Sequence, residues 1–91
     1  MSEASDPNME LFDMADEFIA IANRLLEEEK DLGTVSTALR YAAARFSAYE
    51  AARRSGDLAE DREKARGWFT GQFETMLLEN IDQHIASQSR E

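Results

Sequence analysis

Cysteine is absent from the sequence, and no stretch stays apolar for the roughly 20 residues that a membrane-spanning helix requires. The first absence excludes disulfide bonds, thiolate metal sites and thiol chemistry. The amino terminus carries the acidic residues Glu3 and Asp6, where a signal peptide would carry basic residues and an apolar segment. We therefore expect a cytoplasmic protein with no membrane partner.

Residues that perform catalysis or bind metals are scarce. His84 is the single histidine, and no serine or threonine forms a recognisable nucleophile constellation with it. The Glu-x-x-His spacing of di-iron helical bundles is absent, because Ile81 lies three residues before His84. The four glycines are scattered, so no glycine-rich phosphate loop is formed. We predict no catalytic residue, no metal and no cofactor, and hence a protein that is not an enzyme.

Basic residues are outnumbered: 10 lysines and arginines stand against 19 acidic residues, which gives a formal net charge of −9. This charge argues against binding to nucleic acid or to an anionic membrane surface. The charge is also unevenly distributed. Residues 6–31 contain nine acidic and two basic residues, whereas residues 34–54 contain four arginines and only one acid, Glu50. The asymmetry predicts helices of complementary charge, and solvated faces that differ without any function are the alternative.

Three segments show the apolar period of amphipathic helices. The central segment is rich in alanine, and its larger apolar residues recur at Val35, Leu39, Phe46 and Tyr49. The first segment has a broad apolar stripe: Leu11, Met14, Ala15, Phe18, Ile21, Ala22 and Leu25, widened by Phe12, Ile19 and Leu26. The third segment has its own stripe: Ala65, Phe69, Phe73, Met76, Leu77, Asn80 and Ile81. The predicted fold is an all-α, up-down-up three-helix bundle with these stripes in its core.

Residues that favour helix ends mark the boundaries. Gly33 suits the left-handed position that follows a helix, and Thr34 suits the cap of the next helix. Asp57 and Glu60 have the spacing of a capping box. These signals predict helices over about residues 7–30, 34–54 and 57–86. Residues 7–86 form a single predicted domain, between disordered tails at residues 1–6 and 87–91.

Three strings of the sequence, residues 15–23, 41–49 and 73–82, together resemble a known family. Their most distinctive parts are Ala-Ala-Arg-Phe at residues 43–46 and Glu-Asn-Ile-Asp at residues 79–82. The family consists of short, uncharacterised proteobacterial helical proteins, grouped as a domain of unknown function. The resemblance spans roughly residues 11–85. It implies a bacterial, cytoplasmic, helical protein and assigns no activity or catalytic residue.

Arg45 lies at the edge of the apolar face of the second helix, where a buried guanidinium requires a partner. We predict an internal salt bridge to a carboxylate on a flanking helix. The candidate carboxylates are Asp16, Glu17, Glu79 and Asp82. The alternative is a small anionic-ligand-binding or catalytic site between helices, in which Arg45 acts with Arg53 and the Tyr49 hydroxyl.

Trp68 lies off the main stripe of the third helix, near Leu78 and two helix-interior glycines. An exposed tryptophan is a strong interface anchor, whereas a partly covered one would only close the end of the bundle. The apolar stripe of the first helix, which Phe12 and Ile19 widen, is broader than one neighbouring helix can cover, and this favours self-association. We predict a non-enzymatic protein–protein interaction module that forms a homodimer, with Trp68, Leu78, Phe12 and Ile19 at an interface with itself or with an unidentified protein.

Overall fold

The computed structural model describes residues 7–89, and this part of the chain contains three helices and no strand. The helices are α1 (Pro7–Glu27), α2 (Leu32–Arg54) and α3 (Leu58–Ser89). The predicted all-α class and the three helices are confirmed. The chain divides into two compact units, Met1–Arg45 and Phe46–Glu91, so the division lies within α2.

α1 ends three residues before the predicted position, in a Schellman motif. Glu29 has a φ of 66°, the amide of Lys30 donates to the Leu25 carbonyl at 3.2 Å, and that of Glu29 donates to the Leu26 carbonyl at 2.9 Å. The prediction that Gly33 takes the left-handed position is wrong, because Gly33 is the second residue of α2 and its φ is not positive. A glutamate therefore holds the conformation that glycine normally adopts.

Glycine at position 29 is expected to stabilise the protein. The left-handed conformation costs an L-residue about 1–2 kcal/mol, and the extra entropy of glycine in the unfolded chain offsets part of this gain. We expect Glu29→Gly to raise the free energy of unfolding by about 0.5–1 kcal/mol, measured by urea denaturation. The control is Glu27→Gly, in the last turn of α1, which should lower that free energy. If both variants lowered the free energy of unfolding equally, the left-handed conformation assigned to Glu29 would be contradicted.

α2 begins two residues earlier than predicted because Asp31 caps it. The Asp31 carboxylate accepts hydrogen bonds from the Thr34 amide at 2.9 Å and from the Thr34 hydroxyl at 3.1 Å. The Val35 amide closes the first helical turn on the Asp31 carbonyl at 2.9 Å. Thr34 is thus not the cap that the sequence indicated; it is the third helical residue, which the true cap holds.

Asp57 caps α3 as predicted. Its carboxylate accepts a hydrogen bond from the Glu60 amide at 3.2 Å, and its carbonyl accepts one from the Asp61 amide at 3.0 Å. The Asp57 amide donates to the Ser55 hydroxyl at 3.0 Å, and that hydroxyl donates to the Asp61 carboxylate at 2.6 Å. Ser55 therefore does what the glutamate of a capping box usually does.

The carboxyl end of α3 extends beyond the predicted boundary. The helix runs to Ser89, whose hydroxyl donates to the Ile85 carbonyl at 3.0 Å. The predicted tail at residues 87–91 is thus helical as far as Ser89. The predicted amino-terminal tail, residues 1–6, lies outside the described range. Within residues 7–89, no helix has both the length and the hydropathy that crossing a bilayer requires.

Burial is concentrated beside the two interhelical turns. Near the first turn, Val35 is 6% exposed, and Leu25 and Leu26 are partly buried. Near the second turn, Ala51, Ala65, Phe69 and several polar side chains are partly buried. The side chains of residues 8–21 and 70–89 are exposed. The single chain therefore leaves most of its predicted apolar stripes in contact with solvent.

Candidate interaction surface

The apolar stripe of α1 is open to solvent over three turns. We define the α1 stripe as Leu11, Met14, Phe18 and Ile21; Phe18 is 63% exposed and Ile21 is 52% exposed. Phe12 and Ile19, predicted as interface residues, are exposed beside it. The sequence assigned the stripe to the interior and only its margin to an interface. The structure leaves both exposed, so the candidate surface is wider than predicted.

One margin of the α1 stripe is acidic. Glu10, Asp13 and Glu17, the acidic edge, recur at steps of three and four residues and so lie on one side of the helix within about 60° of each other. Within residues 7–89, none of the three carboxylates forms an ion pair. Arg24, in the last turn of α1, instead pairs with Glu28, just beyond the end of the helix, at a distance of 2.9 Å. The acidic edge is uncompensated negative charge.

α2 carries a row of alternating tyrosine and arginine. Tyr41, Arg45, Tyr49 and Arg53 recur every four residues, and we call them the Tyr–Arg ridge because rows with this step form the ridges of a helix surface. The Arg45 guanidinium lies 5.0 Å from the centre of the Tyr41 ring, and that of Arg53 lies 5.9 Å from the Tyr49 ring. Arg53 also donates to the Tyr49 hydroxyl at 3.0 Å.

The ridge arginines have no carboxylate partner in the described part of the chain. Arg45 donates a long hydrogen bond of 3.5 Å to the Tyr41 hydroxyl and forms none of the salt bridges predicted for it. Arg45 and Tyr49 belong to different pairs, because each arginine stacks on the tyrosine four residues before it. The structure shows two Tyr–Arg pairs on α2, and an anion site that combines Arg45, Tyr49 and Arg53 stays a prediction.

Trp68 and Leu78 are exposed on α3, at 56% and 54%. The Trp68 ring packs edge-on against Phe69, with centroids 4.9 Å apart. At Gly67 and Gly71, a Cβ would meet no described atom within 4 Å. Close approach by another helix of the same chain therefore does not explain these two glycines.

His84 takes part in no candidate metal site. Within residues 7–89, no group of three or more histidine and carboxylate side chains is arranged to hold a metal ion. The second half of α3 carries Glu74, Glu79 and Asp82, which point in directions spread over about 140° and so do not converge. The chemistry of the exposed surface is thus apolar contact, arginine–tyrosine stacking and charge.

Sequence reasoning missed the Tyr–Arg ridge and the full exposure of the α1 stripe. The four-residue recurrence of the ridge is visible in the sequence, but Tyr41 was grouped with neither arginine. The exposure of the stripe has no local signal, because periodicity shows which residues avoid water and not which surface covers them.

Comparison with known proteins gives one match. The family described as protein of unknown function (DUF3144) matches residues 11–85, a range that includes the α1 stripe and the Tyr–Arg ridge. The searches of curated proteins and of solved structures returned no match. Because the matched range covers most of the sequence, this chain belongs to the DUF3144 family of proteins of unknown function.

Proposed function

We propose that this protein is a non-enzymatic protein–protein interaction module that self-associates as a homodimer in the bacterial cytoplasm. The observation that carries the proposal is the exposure of the apolar stripes, above all Phe18 and Ile21 on α1. Contiguous apolar surface beyond a few hundred Å² marks an interaction site in a water-soluble protein. Among the described residues, Val35 is the one buried apolar side chain, so a partner that covers these faces would bury far more apolar surface than the single chain does.

The distribution of exposed apolar side chains supports this proposal. Phe18 and Ile21 on α1, Phe46 on α2, and Phe73 and Leu78 on α3 are all exposed among the described residues. Apolar side chains in contact with water are the ones that a partner surface can cover.

The alternative, a module that binds a small anion through Arg45 and Tyr49, has less support. The side chains it requires are separated into two pairs, and both arginines are exposed on the helix surface. A small ligand gains most of its affinity from burial in a concave site. An exposed row on one helix suits a protein partner, whose surface spans several turns.

Sedimentation equilibrium of the purified full-length chain tests the proposal. We expect a mass of twice 10.3 kDa at high concentration, falling toward the monomer on dilution, together with a loss of thermal stability on dilution. A mass that stays at that of the monomer at all concentrations, with undiminished helix content, would refute self-association.

A further inference from the structure

We infer that the homodimer forms by reciprocal docking, in which the α1 stripe and acidic edge of one copy pack on the Tyr–Arg ridge of the other. The inference rests on the proposed self-association and names the surfaces that meet. The occupant of the ridge is thus a second copy of this chain, and the contact combines apolar burial with paired charges.

Charge complementarity is the first argument. Each copy carries an acidic edge without bases and a ridge whose arginines lack carboxylates. The ion pairs within residues 7–89 are all local, between Arg24 and Glu28, Arg54 and Glu50, and Glu63 with its neighbours Arg62 and Arg66. The unpaired acids of the α1 edge and the unpaired arginines of the ridge belong to different helices. Such an arrangement gives an interface specificity and register.

Spacing is the second argument. Arg45 and Arg53 are eight residues apart, about 12 Å along the axis of α2, and Glu10 and Glu17 are seven residues apart, about 10.5 Å along α1. Both pairs of opposite charges can therefore form at once between two helices that lie side by side. Each guanidinium gives one N–H to the hydroxyl of the tyrosine on which it stacks and keeps its other donors for a carboxylate.

α1 fits the ridge better than α3 does. α3 also has unpaired acids in its second half, but Glu74 and Glu79 lie about 140° apart around the helix and cannot line one edge. The acids of α1 instead border a continuous apolar stripe. Each copy carries both surfaces, so we take the docking to be reciprocal: a twofold arrangement closes as a dimer, whereas a head-to-tail repeat of the same contact would continue as a filament.

Charge reversal on the full-length chain tests the inference. Glu10→Lys/Glu17→Lys should raise the dissociation constant about tenfold or more, because two contacts in the dimer turn from attractive to repulsive. The matched control is Glu74→Lys/Glu79→Lys. Each replacement adds two positive charges, so both variants change the net charge from −9 to −5. Lower net charge alone would strengthen association, and the control should bind as tightly as the wild type or more tightly.

The complementary variant is Arg45→Glu/Arg53→Glu, which should also weaken self-association about tenfold or more. An equimolar mixture of this variant with Glu10→Lys/Glu17→Lys should associate more tightly than either variant alone, because both sets of contacts in the mixed dimer pair opposite charges. A variant that is merely misfolded would not be rescued in this way. Circular dichroism establishes that each variant remains helical.

Each outcome decides the inference. A wild type that is monomeric at every concentration removes both the proposed function and this docking. A wild type that dimerises, with the α1 and α3 reversals equal in effect, removes the docking and leaves self-association standing. If the reversed variants lose helix content, the salt dependence of the wild type decides. Weaker association from about 0.1 M to about 1 M NaCl supports the docking, and unchanged or stronger association overturns it.

Discussion

Replacing Phe18 and Ile21 together by alanine is expected to weaken self-association about 100-fold. These side chains are 63% and 52% exposed in the single chain, so the isolated chain loses little when they are shortened. In the dimer they are buried, and loss of central apolar contacts costs about 2 kcal/mol or more. Alanine is also the better helix former, so α1 itself should not suffer. The dissociation constant measured by sedimentation tests this expectation.

Leu32→Ala is the matched control for this variant. Leu32 is 68% exposed, but it is the first residue of α2 and belongs to neither the α1 stripe nor the Tyr–Arg ridge. Its replacement should change the dissociation constant by less than about threefold, as for an ordinary surface position. If the double variant in the α1 stripe changed the dissociation constant as little as the control does, the α1 stripe would not be the dimer surface.

The proposed interface also includes Trp68 on α3, outside the contact between the α1 stripe and the Tyr–Arg ridge, and Trp68→Ala is expected to weaken association about 30-fold, the effect of losing one tryptophan hot spot of about 2 kcal/mol. Trp68 is 56% exposed and contacts Phe69 within its own helix. Trp68→Phe keeps part of the apolar contact and should lose less. Because Trp68 is the one tryptophan in the sequence, its fluorescence reports this position alone. We expect a blue shift as concentration rises; an unchanged spectrum and an unaffected dissociation constant would place Trp68 outside the interface.

The helices of this protein were predictable because their signals are local. The apolar period located α1, α2 and α3, and Asp57 was identified as the cap of α3 from its spacing to Glu60. The first connection was harder. Glycine is the residue that usually adopts the left-handed conformation, yet Glu29 has the positive φ here. Gly33 lies inside α2, because the Asp31 carboxylate accepts a hydrogen bond from the Thr34 amide and starts that helix earlier.

The candidate surface was only partly predictable. Phe12, Ile19, Trp68 and Leu78 were predicted as interface residues; all four are exposed in the structure, and their place at an interface stays a prediction. The partner of the Arg45 side chain was not predictable, because the sequence offered several carboxylates and tyrosines with which it could pair. The structure pairs it with Tyr41, four residues away on the same helix face. Local spacing decided its neighbour.

The most direct test of the central claim is an isotope-filtered NOE experiment on a mixture of labelled and unlabelled full-length chains. It detects only contacts between different copies. We expect intermolecular contacts from Phe18 and Ile21 to the rings of Tyr41 and Tyr49 in the other copy. A spectrum without intermolecular contacts at the α1 stripe, from a sample concentrated well above any dissociation constant, would contradict the account.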